Sequence, residues 1–464
     1  MGGSYQEGQH KDLSGVYTLI VAAITAGAVG ARGVVAYPFT AEWGPVNDLR
    51  EIITQPDFET QFFAAKTALT AAKINTHAFR GKPSLVLGYR MATASAKKGT
   101  ATLPTGWVLE TLYPSARSFV AKVTDGLSGG KVVEILEGGK SLVKVEGATV
   151  GALKATIDTT DYVRVKTAGA ALPDNAAGVA FAGGHNGQDV TGTEYAAFRE
   201  VLEADGRAQA LALDSYADPV EVAATEAWKN RVRDEGLYIK FVNGGPITWD
   251  NALDEAHTVS KGRNSRSTIN VGNGADGFPA SDMAIFIAAR AASVPLNRSI
   301  TDENVPYTLV NKKLTKSQRV TAKKAGTLIF VQNGNQVQID EGVNTFTSIT
   351  DPEKEKLEYG KIRVSNTLDQ IATDLEVFGE AYKKGRSNTP EARETYAATV
   401  EDEYLGPLVQ QEVLLAGATY RPDEEYHGAN AIHAAKIDEA YFVSGIQPAD
   451  SMEKIYQKLG VSFN

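Results

Sequence analysis

No cysteine occurs in the 464 residues, which removes disulfide frameworks, thiolate-held zinc, iron–sulfur clusters and cysteine nucleophiles together. Stability must come from packing and hydrogen-bonded pairing. Positive charge is also short: 47 Lys and Arg face 56 Asp and Glu, a formal net charge of −9. Binding to a phosphate backbone needs a cationic surface that releases counterions, so nucleic acid is not an expected partner. A long apolar run is missing as well. The stretch VYTLIVAAITAGAVGA over 16–31 has 16 residues, where a membrane span takes about 20. Glu7, Lys11 and Asp12 precede it in place of a basic leader. The expectation is a soluble product made in the cytosol, with no insertion into a membrane. A hydrophobic fraction of 43% and a charged fraction of 22% are those of a chain that folds. At roughly 150 residues per domain, its length leaves room for about three.

What is present reads as β-rich with helical blocks. Residues 1–15 are polar and glycine-rich without an apolar period, as in an exposed arm. The β-favouring run Val16, Tyr17, Thr18, Leu19, Ile20, Val21 follows, then RGVVAYPF over 32–39 as a buried strand and FETQFFAAKTALTAA over 58–72 as a helix. Composition shifts towards Ala, Ser, Lys and Thr near 94–103. Beyond it, runs at 119–123, 132–136, 142–145 and 162–165 read as strands, the second and third joined by the hairpin turn Glu137-Gly138-Gly139-Lys140. After Gly183, helices at 193–204, 220–235 and 283–292 alternate with strands at 210–214, 238–242 and 268–271. That is the pattern of a mixed or parallel sheet covered by helices.

Two β runs flank Asn333-Gly334, read as a tight hairpin turn. Val364, Leu368, Ile371, Leu375 and Phe378 form one stripe of a long helix over 363–384. Thr389-Pro390-Glu391 supplies the N-cap, first-turn proline and first-turn acid of the next helix, which Gly406-Pro407 should kink or end. At the close, Ile455, Leu459, Val461 and Phe463 alternate with Lys454, Tyr456, Lys458 and Ser462, a terminal strand. The fold class expected is an α+β or α/β multidomain chain. An N-terminal arm and strand occupy 1–21, a core with a mixed sheet and flanking helices 22–95 and 181–350, a β-rich insertion 96–180, and a C-terminal α/β domain 351–464.

Chemistry is sparse. Gly272-Asn273-Gly274-Ala275-Asp276-Gly277 fits GxGxxG between a strand and a helix, so an α/β enzyme binding a nucleotide there is the rival reading. Phe278-Pro279 interrupts the helix start and favours a plain glycine turn. Gly183-Gly184-His185-Asn186-Gly187 is a second glycine-rich turn, and no GxxxxGK[ST] occurs. Of the histidines His10, His77, His185, His257, His427 and His433, only the last two are close, at a spacing unsuited to one helix face, so no metal site is expected. Glu401-Asp402-Glu403 reads as a solvated helix face able to dock a basic partner.

Several segments together resemble the contractile tail sheath proteins of bacteriophages, above all those of prophage-like particles of Gram-positive bacteria. Gly15-Val16-Tyr17 is similar to the family's N-terminal strand, and Arg32 to Pro38 with Trp43-Gly44 to its next strand and turn. Gly183-Gly184, Gly187, Glu194-Tyr195 and Phe198 resemble its glycine loop and helix, and AARAASVPLN with Ser299 resembles a later helix and turn. The Asn333-Gly334 hairpin, the helix after Lys361-Ile362-Arg363-Val364, and the ending Ile446-Gln447-Pro448 to Tyr456 occur in the family's order. Residues 96–180 and the Gly406-Pro407 helix match nothing in it.

The resemblance implies a structural protein with no catalytic residues, cofactor or metal. It implies stacked hexameric rings in a sixfold helical homo-oligomer around a tail tube, contracting to drive the tube through a host envelope. The implied partners are the tail tube, baseplate and tail terminator proteins, and the implied location is the virion tail, assembled in the host cytoplasm. A headless contractile bacteriocin would use the same subunit. The insertion would lie outside and the C-terminal domain against the tube. Residues Val16–Val21 and Lys454, Ile455, Tyr456, Leu459, Val461 and Phe463 would be strands donated to a neighbour's sheet near 436–443. Tube contact would fall on Lys383, Lys384 and Arg386 or on Glu401, Asp402 and Glu403.

Overall fold

The computed structural model describes residues 32–127, 129–214, 218–352, 355–382 and 386–458. Val16–Val21, Lys383, Lys384, Leu459, Val461 and Phe463 lie outside them. The described chain forms two compact units, Arg32–Asn366 and residues 367–458.

The first unit opens with β1 (Val34–Phe39), β2 (Leu49–Ile52), α1 (Gln55–Phe62), α2 (Ala71–His77) and β3 (Leu85–Arg90). A β-rich stretch follows: β4 (Thr100–Thr102), β5 (Val108–Thr111), β6 (Phe119–Asp125), β7 (Lys131–Glu137), β8 (Lys140–Gly147), α3 (Val150–Asp158), β9 (Val163–Thr167) and β10 (Ala176–Ala180). Alternation then begins with α4 (Gly192–Asp205), β11 (Ala210–Ala212), α5 (Pro219–Asp234), β12 (Lys240–Gly244), α6 (Leu253–Arg263), β13 (Thr268–Val271) and α7 (Ala280–Ser293). It continues with β14 (Asn304–Val305), α8 (Lys316–Lys324), β15 (Thr327–Leu328), β16 (Phe330–Asn333) and β17 (Gln336–Ile339).

A seven-stranded sheet in the order β15-β13-β12-β11-β1-β3-β2 organises this unit. Every neighbour pair is parallel except β2 with β3. A parallel sheet is stable when both faces are covered, and β1 shows how its sequence meets that demand. Val35, Tyr37 and Phe39 enter one core with α1, α2 and α7, while Val34 and Ala36 enter the other with Phe198 and Leu202 of α4 and Val222 and Val232 of α5. Helix α7 is buried nearly all round, so its alanines let it lie close; a Cβ added at Gly244 of β12 would stand 2.1 Å from the Ala280 carbonyl oxygen.

The β-rich stretch makes two sheets, β10-β6-β7-β8 and β4-β5-β9. Positive φ at Gly138 (56°) and Gly139 (80°) confirms the expected β7–β8 turn. Its core of Trp107, Leu109, Phe119, Ile135 and Leu153 also takes in Trp43, from the loop after β1. The Arg117 guanidinium lies 5.0 Å from the Trp43 ring and pairs with both oxygens of Glu137 at 2.9 and 2.7 Å. Fully buried Arg90 donates to the carbonyls of Gly44 (2.6 Å) and Pro114 (2.8 Å).

Some expectations shift. The helix read over 58–72 breaks, because Phe58 and Phe62 both pack edge-on to Phe39 at 5.1 and 4.8 Å and Phe63 then takes φ 56°. The tight hairpin closes on Asn333 and Gln336, so its central pair is Gly334-Asn335, with positive φ (58°) at Gly334, as a type II′ turn asks. Helices α3, α6 and α8 were not read; α8 is too polar to carry an apolar stripe. The reading that no GxSxG occurs, which leaves a serine hydrolase without an anchor, is corrected by the sequence itself: Gly126-Leu127-Ser128-Gly129-Gly130 fits the pattern. The elements on either side, β6 and β7, are paired antiparallel strands, whereas a nucleophile elbow needs a strand followed by a helix.

The GxGxxG loop does join β13 to α7, with Pro279 as N-cap. Its amides are already spent. Gly274 N–H donates to Asp250 at 2.8 Å and Gly277 N–H to Asn311 at 2.7 Å, while a Cβ on Gly274 would meet the Phe278 carbonyl at 1.8 Å. The strand order reverses beside β1, and the crevice between the carboxyl ends of β1 and β11 is where such sheets take ligands. There the buried Asp214 carboxylate accepts the hydroxyls of Thr70 (2.6 Å) and Tyr195 (2.5 Å). Titration of the full chain with a nucleotide should therefore leave its melting temperature unchanged; a concentration-dependent rise would restore the enzyme reading.

Buried His77 sits 2.8 Å from the Tyr307 hydroxyl and edge-on to Phe278. Burial, then the nearby charges of Arg80 and Lys73, lowers its pKa to about 3. The unfolded ring titrates near 6.5, so its contribution is complete above that pH and is lost as pH falls towards 3, at about 1.4 kcal/mol per unit. Between about pH 7 and 5 the wild type should lose ~2 kcal/mol from this site in urea unfolding. His77→Gln should flatten that slope.

Candidate assembly surfaces of the C-terminal unit

Helix α9 (Ile362–Tyr382) leads the chain into the second unit. Val364, Ile371 and Phe378 of its stripe are buried, whereas Leu368 and Leu375 are half-buried. Polar side chains share the burial: Asp374 accepts from the Gln370 amide and the Tyr404 hydroxyl, each at 2.8 Å. The next helix, α10 (Pro390–Thr399), begins as read, with the Thr389 hydroxyl accepting from the Ala392 N–H. Gly406-Pro407 does not end it. A π-helical turn over Val400–Leu405 precedes the proline, and α11 (Gly406–Gln410) carries the helix on. The wider turn relieves the clash between a proline ring and the carbonyl four residues back.

Strands β18 (Thr419–Pro422) and β19 (Phe442–Gly445), with the short α12 (Glu424–His427) between them, form a two-stranded antiparallel sheet. Two strands alone are marginal, and this pair leans on aromatic packing. Tyr420 and Phe442 stack at 5.4 Å, and Tyr396 of α10 meets Phe442 at 5.0 Å and Tyr382 at 4.6 Å. Burial and the Tyr396 neighbour push the Tyr420 phenol well above its usual pKa. His427 Nε2 accepts from the Tyr441 N–H at 2.8 Å, a structural role.

The ladder's register decides what its edges offer. Asp423 N–H bonds the Tyr441 carbonyl, so Arg421–Val443 and Thr419–Gly445 are the bonded pairs, and Phe442 and Ser444 turn their N–H and C=O groups away from β18. On the opposite edge the outward positions are Tyr420 and Pro422, and proline has no N–H to give. The β19 edge is thus the better acceptor of a further strand. A cleft of about 860 Å³, lined by Leu375, Gly379, Tyr382, Tyr396 and Phe442 among others, adjoins the sheet.

The sequence-predicted residues are not gathered into one site. Lys454, Ile455 and Tyr456 have no secondary structure within the chain, and Ile455 and Tyr456 are 69% and 90% exposed. Arg386 lies over the Tyr382 ring at 4.4 Å. Glu401 is half-buried, while Asp402 and Glu403 are exposed, because Val400, Tyr404 and Leu405 take the inward positions of the π turn. Sequence reading placed the acceptor strand at 436–443; in the structure the strand begins at Phe442, and the edge positions Phe442 and Ser444 went unnamed. The apolar run YFV was the available signal.

No family model matches the chain. It is 25% identical over 185 residues to the tail sheath protein of Clostridium phage phiCD119; the match covers 36% of this chain, which spans about half (51%) of that protein. The crystal structure of the sheath tail protein of Desulfitobacterium hafniense superposes with a TM-score of 0.73 at 22% identity, over 94% of this chain and 97% of that one. The helical sheath of the anti-feeding prophage in its contracted state gives a TM-score of 0.52 at 12% identity, over 98% and 99%. The resemblance to tail sheath proteins carried by the sequence motifs extends to the whole architecture: the fold of this chain is that of the sheath tail proteins.

Proposed function

We propose that the chain is the structural subunit of a contractile tail sheath, polymerised as stacked hexameric rings around a tail tube and shortening to drive that tube through a bacterial envelope. The tail tube, baseplate and tail terminator proteins are its partners, and the virion tail its location. The observation that carries this reading is the outer edge of β19, which no strand of the described residues pairs, in a chain that shares the sheath fold. An open edge invites a strand from another chain. Residues Val16–Val21 and 454–463 of neighbouring copies are assigned as the donated strands. If a strand makes about five backbone bonds at roughly 0.5–1.5 kcal/mol net each, one arm contributes ~2.5–7 kcal/mol. Main-chain pairing of that size holds neighbours together while the bodies they join rotate and slide. The basic flank Lys383, Lys384 and Arg386 is assigned to the tube.

Deletion of residues 1–21 should leave soluble monomers in sedimentation and electron microscopy; normal sheaths would refute the donation. Ser444→Pro removes only an outward N–H and should likewise block polymers with little change in the urea midpoint. Lys383→Glu with Lys384→Glu should abolish co-assembly with tube while sheath-only polymers persist.

A further inference from the structure

The chain's net charge is unevenly placed. From residue 367 onward there are 17 Asp and Glu against 8 Lys and Arg, which accounts for the whole of the −9. Along the outer side of α10 and the π turn, Glu391, Glu394, Asp402 and Glu403 are exposed and Glu401 half-exposed, and none has a cationic partner among the described residues. The helix's own arginine, Arg393, turns away to donate to Asn388 at 2.8 Å.

One stretch of the first unit is the converse. Residues 311–325 hold Lys312, Lys313, Lys316, Arg319, Lys323 and Lys324 and no acid. Arg319 and Lys323 of α8 pair with Asp340 and Glu341. Lys312, Lys313, Lys316 and Lys324 have no carboxylate partner among the described residues. Lys316, Val320 and Lys324, four residues apart, make one stripe, with Val320 46% exposed between the two ammonium groups. Three of the lysines crowd the positive end of the helix dipole, where cations are disfavoured, and α8 has no acid in its first turn to offset them. No carboxylate among the described residues offsets this local cost.

We propose that the lysine face of α8 docks on the acidic stripe Glu391–Glu403 of a second copy, an inference that rests on the sheath reading. Four unpaired ammonium groups meet five unpaired carboxylates, and the exposed Val320 provides a desolvated centre. Single exposed pairs contribute little, but an array of opposite charge sets register and steers encounter. Because the two faces are different patches of the same chain, a head-to-tail contact between them leaves one face free on each end copy and propagates, into a ring or an open helix according to its rotation.

The test is a charge exchange in the full chain. One variant combines Lys312→Glu, Lys313→Glu, Lys316→Glu and Lys324→Glu; the other combines Glu391→Lys, Glu394→Lys, Asp402→Lys and Glu403→Lys. Each alone should raise the concentration needed for polymer by at least about tenfold, and an equimolar mixture should recover to within about threefold of wild type, since each copy then meets only opposite charge. Lys→Gln at the four lysines should weaken polymers less than Lys→Glu, and urea midpoints check that all variants fold. Reversed chains that polymerise like wild type, or a mixture that fails to recover, overturn the inference and leave the sheath reading standing. Wild-type chains that never polymerise overturn both. If lysine reversal abolishes heparin retention yet leaves polymers intact, the patch belongs to a polyanion and the inference fails.

Discussion

Backbone hydrogen bonding is the constraint on which this molecule turns. In the seven-stranded sheet, inner strands find partners on both sides and helices cover both faces, so pairing is completed within the subunit. The small C-terminal sheet does not complete it among the described residues. Two strands are held by a cluster of Tyr382, Tyr396, Tyr420 and Phe442, and the β19 edge turns the main-chain groups of Phe442 and Ser444 outward. A fold that satisfies its own backbone in one region and leaves it open in another is suited to linking copies through the second.

The β-rich stretch belongs physically to the body that carries it. Trp43, from the loop after β1, sits in its core, Arg117 holds that ring, and Arg90 ties together the carbonyls of Gly44 and Pro114. Removing a buried guanidinium would leave those carbonyls unpaired, which is costly. Electrostatics divides the chain along different lines. Ion pairs such as Arg117 with Glu137 stitch the first unit, whereas Glu391, Glu394, Asp402 and Glu403 of the second unit and Lys312, Lys313, Lys316 and Lys324 of the first have no ionic partner among the described residues.

Much of the core was legible because it follows local rules. The apolar run of β1, the Thr389 cap of α10 and the Gly138-Gly139 turn each need only neighbours in sequence to be recognised. Two of the failures share one cause. The helix over 58–72 broke because Phe58 and Phe62 had to reach Phe39, and the helix through Gly406-Pro407 continued because a π turn made room for the proline. Both are decided by contacts or geometry that a residue count does not contain.

Taken alone, the sequence determined the class of elements, their order, the absence of thiol chemistry and the likeness to tail sheath proteins, since periodicity, caps and motifs are written in adjacent residues. Tertiary structure alone decided that the GxGxxG amides are consumed by Asp250 and Asn311, that β19 turns main-chain groups outward while Pro422 blunts the other edge, and that Lys316 and Lys324 of α8 meet no carboxylate among the described residues. Each depends on which groups far apart in the chain meet in space, and a hydrogen bond or ion pair between them has no counterpart in local pattern.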